Sequence, residues 1–206
     1  MDATTLVDTV TDDLETELSR LGSSKWLYAL TDGEMSGDAV RTAAAADAAA
    51  AADRFESWAA DADDPDAESC FDHLATTARN RHETLDADAD ADAADRRIYG
   101  TLADFDDPVE RVGAALGHSL VTDRTAGQMV GFFVGDADPS TANTFRSLRD
   151  DIDDAHDHIV ETLDAICASD DDWVRAEAAA TEAIEAAYDD YVETLESMGV
   201  KPKNVC

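Results

Sequence analysis

Lysine is almost missing from this chain. Lys25, Lys201 and Lys203 are its only lysines, and with the arginines they make 15 cations against 48 Asp and Glu, a formal charge of −33 on 206 residues. A surface this acidic repels phosphates, which argues against direct nucleic-acid binding. Cysteine is equally sparse. Cys70, Cys167 and Cys206 are odd in number and far apart, so they make neither a disulfide framework nor a CxxC zinc or iron–sulfur site, and three reduced thiols are expected. No apolar run approaches the roughly 20 residues of a membrane span. Residues 1–21 are acidic rather than basic and then apolar, so no secretory signal is read there. Both absences point to a cytosolic protein. Strand patterning is missing too: no alternating stretch is bounded by hairpin turns.

What is present is acid and alanine. With salt screening its self-repulsion over a few ångströms, a strongly hydrated acidic surface stays soluble at molar salt, so the charge describes the solvent of an extreme halophile. High net charge also accompanies disorder, but 44% hydrophobic content with regular Leu, Ile, Val and Phe spacing argues for one folded helical domain over 1–206. Val7, Val10, Leu14, Leu18 and Leu21 predict a first helix, and a short turn of helix follows over residues 26–30. A long helix is predicted to about residue 60 with Asp38 as its cap, and another over residues 67–85. The Asp/Ala repeat at residues 86–95 reads as a solvated linker or frayed helix end. Asp107-Pro108-Val109-Glu110 is a helix start, with Glu110 able to reach back to the cap, for a helix to Val134. Ser140 is the expected cap of a helix to about residue 168. A last helix runs from about Asp171 to Gly199.

Most acids fall on the outer faces of these helices, and five polar residues do not. Asp47 lies in line with Val40, Ala44, Ala51 and Trp58; His82 with Phe71, Ala75, Ala78 and Leu85; Asp123 with Val109, Leu116, Leu120 and Val130. His156 lies in line with Leu148, Ile152, Ile159 and Leu163, with Asp153 at the edge of that stripe. Unpaired carboxylates in a core cost several kcal/mol, so a shared site is the economical reading. Carboxylates and imidazoles from four antiparallel helices can enclose two metal ions. For a lone His the plainer reading is a hydrogen bond to a backbone carbonyl. His73 and His158 read as surface residues, and His118 is left undecided.

Two close helix pairs joined by a long acidic connection, with these polar residues inside, resemble the ferritin-like, rubrerythrin-like superfamily of di-metal carboxylate proteins. Its pattern is Glu on one helix, Glu-x-x-His on the next, then both again. The resemblance covers residues 38–168 and implies an all-α, ferritin-like antiparallel four-helix bundle with additional N- and C-terminal helices. It implies iron or manganese on Asp47, His82, Asp123, Asp153 and His156, for chemistry with oxygen or peroxide. The second half matches better, with Asp for Glu at 123 and 153. In the first half an alignment through Phe55 puts Ala48 in place of Asp47, and Arg79 stands where a carboxylate belongs. The rubredoxin CxxC pairs are missing. Arg79 either faces solvent or takes the metal's place beside Asp123 or Asp153, which would make a metal-free pseudo-ferritin serving as an interaction or regulatory adaptor.

Gly113, Gly117, Gly127 and Gly131 let a neighbouring helix approach or open a channel. The apolar face of the last helix (Trp173, Ala180, Ile184, Ala187, Tyr191, Leu195, Met198) docks on the bundle or on a second subunit, so a homo-oligomer is expected. The tail at residues 201–206 is a candidate partner-binding peptide or a self-docking basic segment, ending in the Cys206 thiol. If the charge is an adaptation to salt, the unfolding midpoint by circular dichroism rises by on the order of 10 °C between about 0.1 M and about 3 M KCl. A midpoint that falls or stays level would remove the halophile reading.

Overall fold

A computed structural model describes residues 1–87 and 93–202. Its described residues form nine α-helices and one 3-10 turn, with no strand. The helices are α1 (Ala3–Asp13), α2 (Glu15–Leu21), α3 (Ser24–Leu30), α4 (Gly37–Ala60), α5 (Pro65–Leu85), α6 (Arg97–Asp104), α7 (Pro108–Gly135), α8 (Pro139–Ile166) and α9 (Asp170–Ser197), with the 3-10 turn at Ala93–Asp95. Short connections make hairpins of α4 with α5 and of α7 with α8; α5 packs on α8, and α9 lies along α7. α4 and α7 barely touch. This gap is where the interior cavity lies.

Local chemistry explains the boundaries, with several differences from the pattern reading. The first helix is two, because Leu14 leaves the helical region at φ −110°, ψ 25° before α2 starts. Ser36, not Asp38, caps α4: its extended backbone lets the hydroxyl accept the Ala39 N–H. Asp38 sits in the first turn, where a carboxylate suits the helix dipole, and pairs with Arg41. Asp138, not Ser140, caps α8 by accepting the Thr141 N–H at 3.1 Å, with Pro139 at the first helical position. Asp107 caps α7 as expected and accepts from Val109 and Glu110. Among the described residues the Glu110 side chain does not return to the Asp107 N–H, and the Asp107 carboxylate also takes Arg175, at 2.7 Å. Ser169 and Asp172 form a full capping box at the start of α9.

α6 was not expected. It follows the acidic repeat, of which residues 88–92 lie outside the described residues. Ile98, Tyr99 and Leu102 are buried and hold it against α9 and α4. Its first residue is anchored to α9: the Arg97 N–H donates to Asp190 at 2.8 Å, and its guanidinium pairs with Glu193.

One apolar cluster reaches every helix, and a smaller one, with Val40, Leu85, Met129, Phe133 and Phe145, fills the end of the bundle where α4 starts and α5 stops. The apolar face of α9 is spent on this core, with Trp173, Ala176, Ala180, Ile184 and Tyr191 all buried. Cys70 is buried and Cys167 half-buried, both free thiols. Cys206 and the rest of the tail from residue 203 lie outside the described residues.

The α7 glycines divide by role. A Cβ on Gly113 would stand 2.4 Å from the Ala176 carbonyl oxygen, and one on Gly117 would stand 2.3 Å from that of Ala180, so both set the approach of α9. A Cβ on Gly127 would meet only the Arg149 side chain, from 3.7 Å, and one on Gly131 meets nothing within 4 Å. Gly113→Ala and Gly117→Ala should each cost about 1–3 kcal/mol by overpacking against backbone. Gly131→Ala should be neutral or stabilise by up to about 1 kcal/mol through helix propensity. Urea unfolding of the three variants checks this, and equal destabilisation at all three positions would contradict it.

Candidate functional site

The five residues aligned on apolar stripes do not converge on one point. Asp47, half-buried on α4, accepts from Arg96 Nη1 at 2.8 Å and from the Tyr99 hydroxyl at 3.0 Å, both contributed by the chain around α6. His82 is half-buried on α5, and its Nδ1 lies 3.0 Å from the Ala45 carbonyl oxygen, to which it donates. On α7, one Asp123 oxygen accepts from Arg149 Nε at 2.9 Å and Nη2 at 2.6 Å. Asp153 on α8 is exposed, and the half-buried His156 has Nδ1 3.4 Å from the Ser119 hydroxyl. Partial burial and the nearby Asp123 charge raise the Asp153 pKa, while burial lowers that of His156 against the pull of Asp157, Asp153 and Asp123. Asp123, Asp153 and His156 therefore feel one another across the α7–α8 hairpin. Among the described residues, no group of three or more His, Cys, Asp or Glu is placed to hold a metal ion. Arg79 lies on the surface, 3.3 Å from Glu56.

A different polar group is assembled inside. Arg81, on α5, is only 8% exposed, and His118, on α7, only 4%. Arg81 has no hydrogen-bonding or ionic partner among the described residues; Asp47 and Asp151 act on it only through their charge. Burial pulls its pKa down, yet a guanidinium remains protonated in a protein. Next to it, His118 is pushed down to about 4, first by burial and against the pull of Asp47, so it is neutral at pH 7. Its Nε2 lies 3.4 Å from the Tyr99 hydroxyl. With the Tyr99 proton given to Asp47, the consistent tautomer carries the His118 proton on Nε2 and donates it to the phenol oxygen. Burial, then the Asp47 charge, raises the Tyr99 pKa well above its ordinary value and keeps the phenol protonated.

These groups border an interior cavity where α4 and α7 stand apart. It encloses about 720 Å³ free of protein atoms, the open mouth included, of which the centre of a water molecule can occupy about 60 Å³. Its walls are mainly apolar: Leu85, Val121, Met129, Phe145, Leu148 and Ile152, with alanines of α4. Arg81, Asp47, Arg96, His118 and Asp190, with Thr122 and Thr125, supply the charged and polar lining. Arg81 and His118 also line a second, smaller space with Phe55, Leu74 and Ile159, so they stand between the two. Asp190 is raised in pKa by burial and is held by the Arg97 N–H.

Sequence reading left His118 open and passed over Arg81, Arg96 and Tyr99. For Arg81 a signal existed: Leu74, Ala78, Arg81 and Leu85 recur at four, three and four residues, the spacing of a buried stripe.

Because the folded-state pKa of His118 lies near 4 and an exposed His titrates near 6.5, the unfolded chain binds more protons between these values. Stability is then full above pH 6.5 and lost as the pH falls towards 4, by on the order of 3 kcal/mol from this residue. His118→Gln, which cannot titrate, should flatten that part of the profile relative to wild type. Urea midpoints between pH 4 and 7 test it, and parallel profiles would show that His118 is not the group responsible. The chain matches no protein-family model, no curated protein and no solved structure, so its function is argued from this geometry.

Proposed function

We propose that this protein is a ferritin-like bundle that works without a metal centre and binds a small molecule with an apolar body in the cavity between α4 and α7. Two antiparallel hairpins joined by a long connection support the ferritin-like layout. The cavity carries the functional reading. It is concave, largely apolar and edged by a few converging polar groups, which is the usual form of a small-molecule site. Where the resemblance implies carboxylates bridging metals, Asp47 is held by Arg96 and Asp123 by Arg149. A carboxylate already bound by a guanidinium is a poor metal ligand until that bond is given up. In this reading the chain is a binding or regulatory protein rather than a catalyst.

A rubrerythrin-like metal–carboxylate protein is the second reading, favoured by Asp123, Asp153 and His156 lying within electrostatic reach of one another. Its ligands would be those residues, with His82 and Asp47, holding iron or manganese. Metal analysis of protein purified in high salt without chelator separates the two. Less than about 0.2 iron, manganese or zinc per chain is expected for the cavity reading, against two for a di-metal site. Titration with benzyl alcohol or hexanol, followed by calorimetry or ligand-observed NMR, should give saturable binding. Ala126→Leu, which fills the cavity from a buried position, should weaken that binding at least about tenfold with the unfolding midpoint kept or raised. No saturable binding in the wild-type protein would end this reading.

A further inference from the structure

The cavity reading leaves its ligand undefined, and the charges around it narrow the choice. Of the charged lining residues, Arg96 is matched by Asp47 at 2.8 Å. Asp190 receives the Arg97 N–H and lies 3.8 Å from the Arg97 guanidinium. Arg81 is the cation left unmatched among the described residues. In a chain of formal charge −33, a buried and unmatched guanidinium is out of keeping with every other feature of its composition. Among the described residues the polar side-chain atoms sealed off without a partner are Nε of Arg54 and Nε of Arg175, and the Arg81 nitrogens are not among them. They therefore keep access to space, and Arg81 lines both interior cavities.

A buried cation without a protein partner costs several kcal/mol unless an anion accompanies it. A carboxylate matches the planar fork of a guanidinium with two parallel hydrogen bonds. Dianions are disfavoured, because Asp47 and Asp190 line the same space and would repel the second charge. Size follows from the room available. The enclosed room is about 60 Å³, against roughly 150 Å³ for a cavity that takes up benzene, so a ring or six-carbon chain is seated by extending into the open mouth, which brings the empty volume to about 720 Å³.

Resting on the cavity reading above, we infer that the ligand is a small organic monocarboxylate, with its carboxylate on Arg81 and a six-carbon or single-ring body among Leu85, Val121, Met129, Phe145 and Leu148. The carboxylate neutralises Arg81, and the apolar body replaces poorly bonded water along the walls.

The experiment compares matched probes on the whole wild-type chain in molar KCl: benzoate and hexanoate, their neutral counterparts benzyl alcohol and hexanol, and acetate, which has the head group without the body. Benzoate or hexanoate should bind at least about tenfold more tightly than the alcohol of the same shape, and at least about tenfold more tightly than acetate. In Arg81→Met, benzoate affinity should fall by on the order of 10-fold to 100-fold while benzyl alcohol affinity is kept or improved, with the unfolding midpoint of the free protein unchanged or higher. Equal binding of acid and alcohol overturns the carboxylate inference and leaves the cavity reading standing. Equal binding of acetate and benzoate reduces the site to one for inorganic or minimal anions and also overturns it. If no probe binds, both readings fail together. The comparison of probes on wild type decides the matter even if Arg81→Met does not fold.

Discussion

The middle of α7 is enclosed on every side. Residues 112–119 are buried without a break, so this stretch has no outer face and must meet a neighbour in each direction. Towards α9 the meeting is backbone on backbone, which Gly113 and Gly117 permit. Towards α8, Ser119 approaches His156. Towards α4 there is instead a gap, because α4 is built largely from alanine and its short side chains do not fill the distance. The interior cavity follows from this: one helix is pressed against α8 and α9, and a thin one stands opposite.

Polar groups at such a gap have to be settled by one another. Asp47 is satisfied by Arg96 and Tyr99, and His118 sheds its charge and leans on the Tyr99 hydroxyl. α6 and the Arg96 that precedes it are therefore more than a connection, since Ile98 closes one wall of the cavity and Arg96 and Tyr99 hold Asp47. Arg81 is the group left without a partner among the described residues, and the proposed monocarboxylate completes the arrangement. The same guanidinium chemistry separates the implied metal ligands, since arginines hold two of the carboxylates that a di-metal site would need.

Much of the helical architecture was legible from spacing. The two hairpins, the start of α7 at Asp107-Pro108 and the course of α9 all follow from apolar recurrence and turn residues. Caps were less legible, because Ser36 and Asp138 compete with acids or hydroxyls two residues later, and the extended backbone of the true cap is not written in composition. α6 was hidden by the acidic repeat before it. Asp153 sat at the edge of a stripe and is exposed, as a side chain on that boundary is free to turn either way.

Within a helix, the 3.6-residue period assigns a face to each residue, and it placed Asp47, His82, Asp123 and His156 on or near inner faces from the chain alone. The same holds for the acidic exterior, which needs no partner beyond water and salt. Which inner residues meet is a different matter, since Arg96 reaches Asp47 across 49 residues and Arg149 reaches Asp123 across 26. Periodicity carries no information about such distances. Folding therefore chose the partners, gave two of the expected ligands to arginines, and left Arg81 at the cavity without a partner among the described residues.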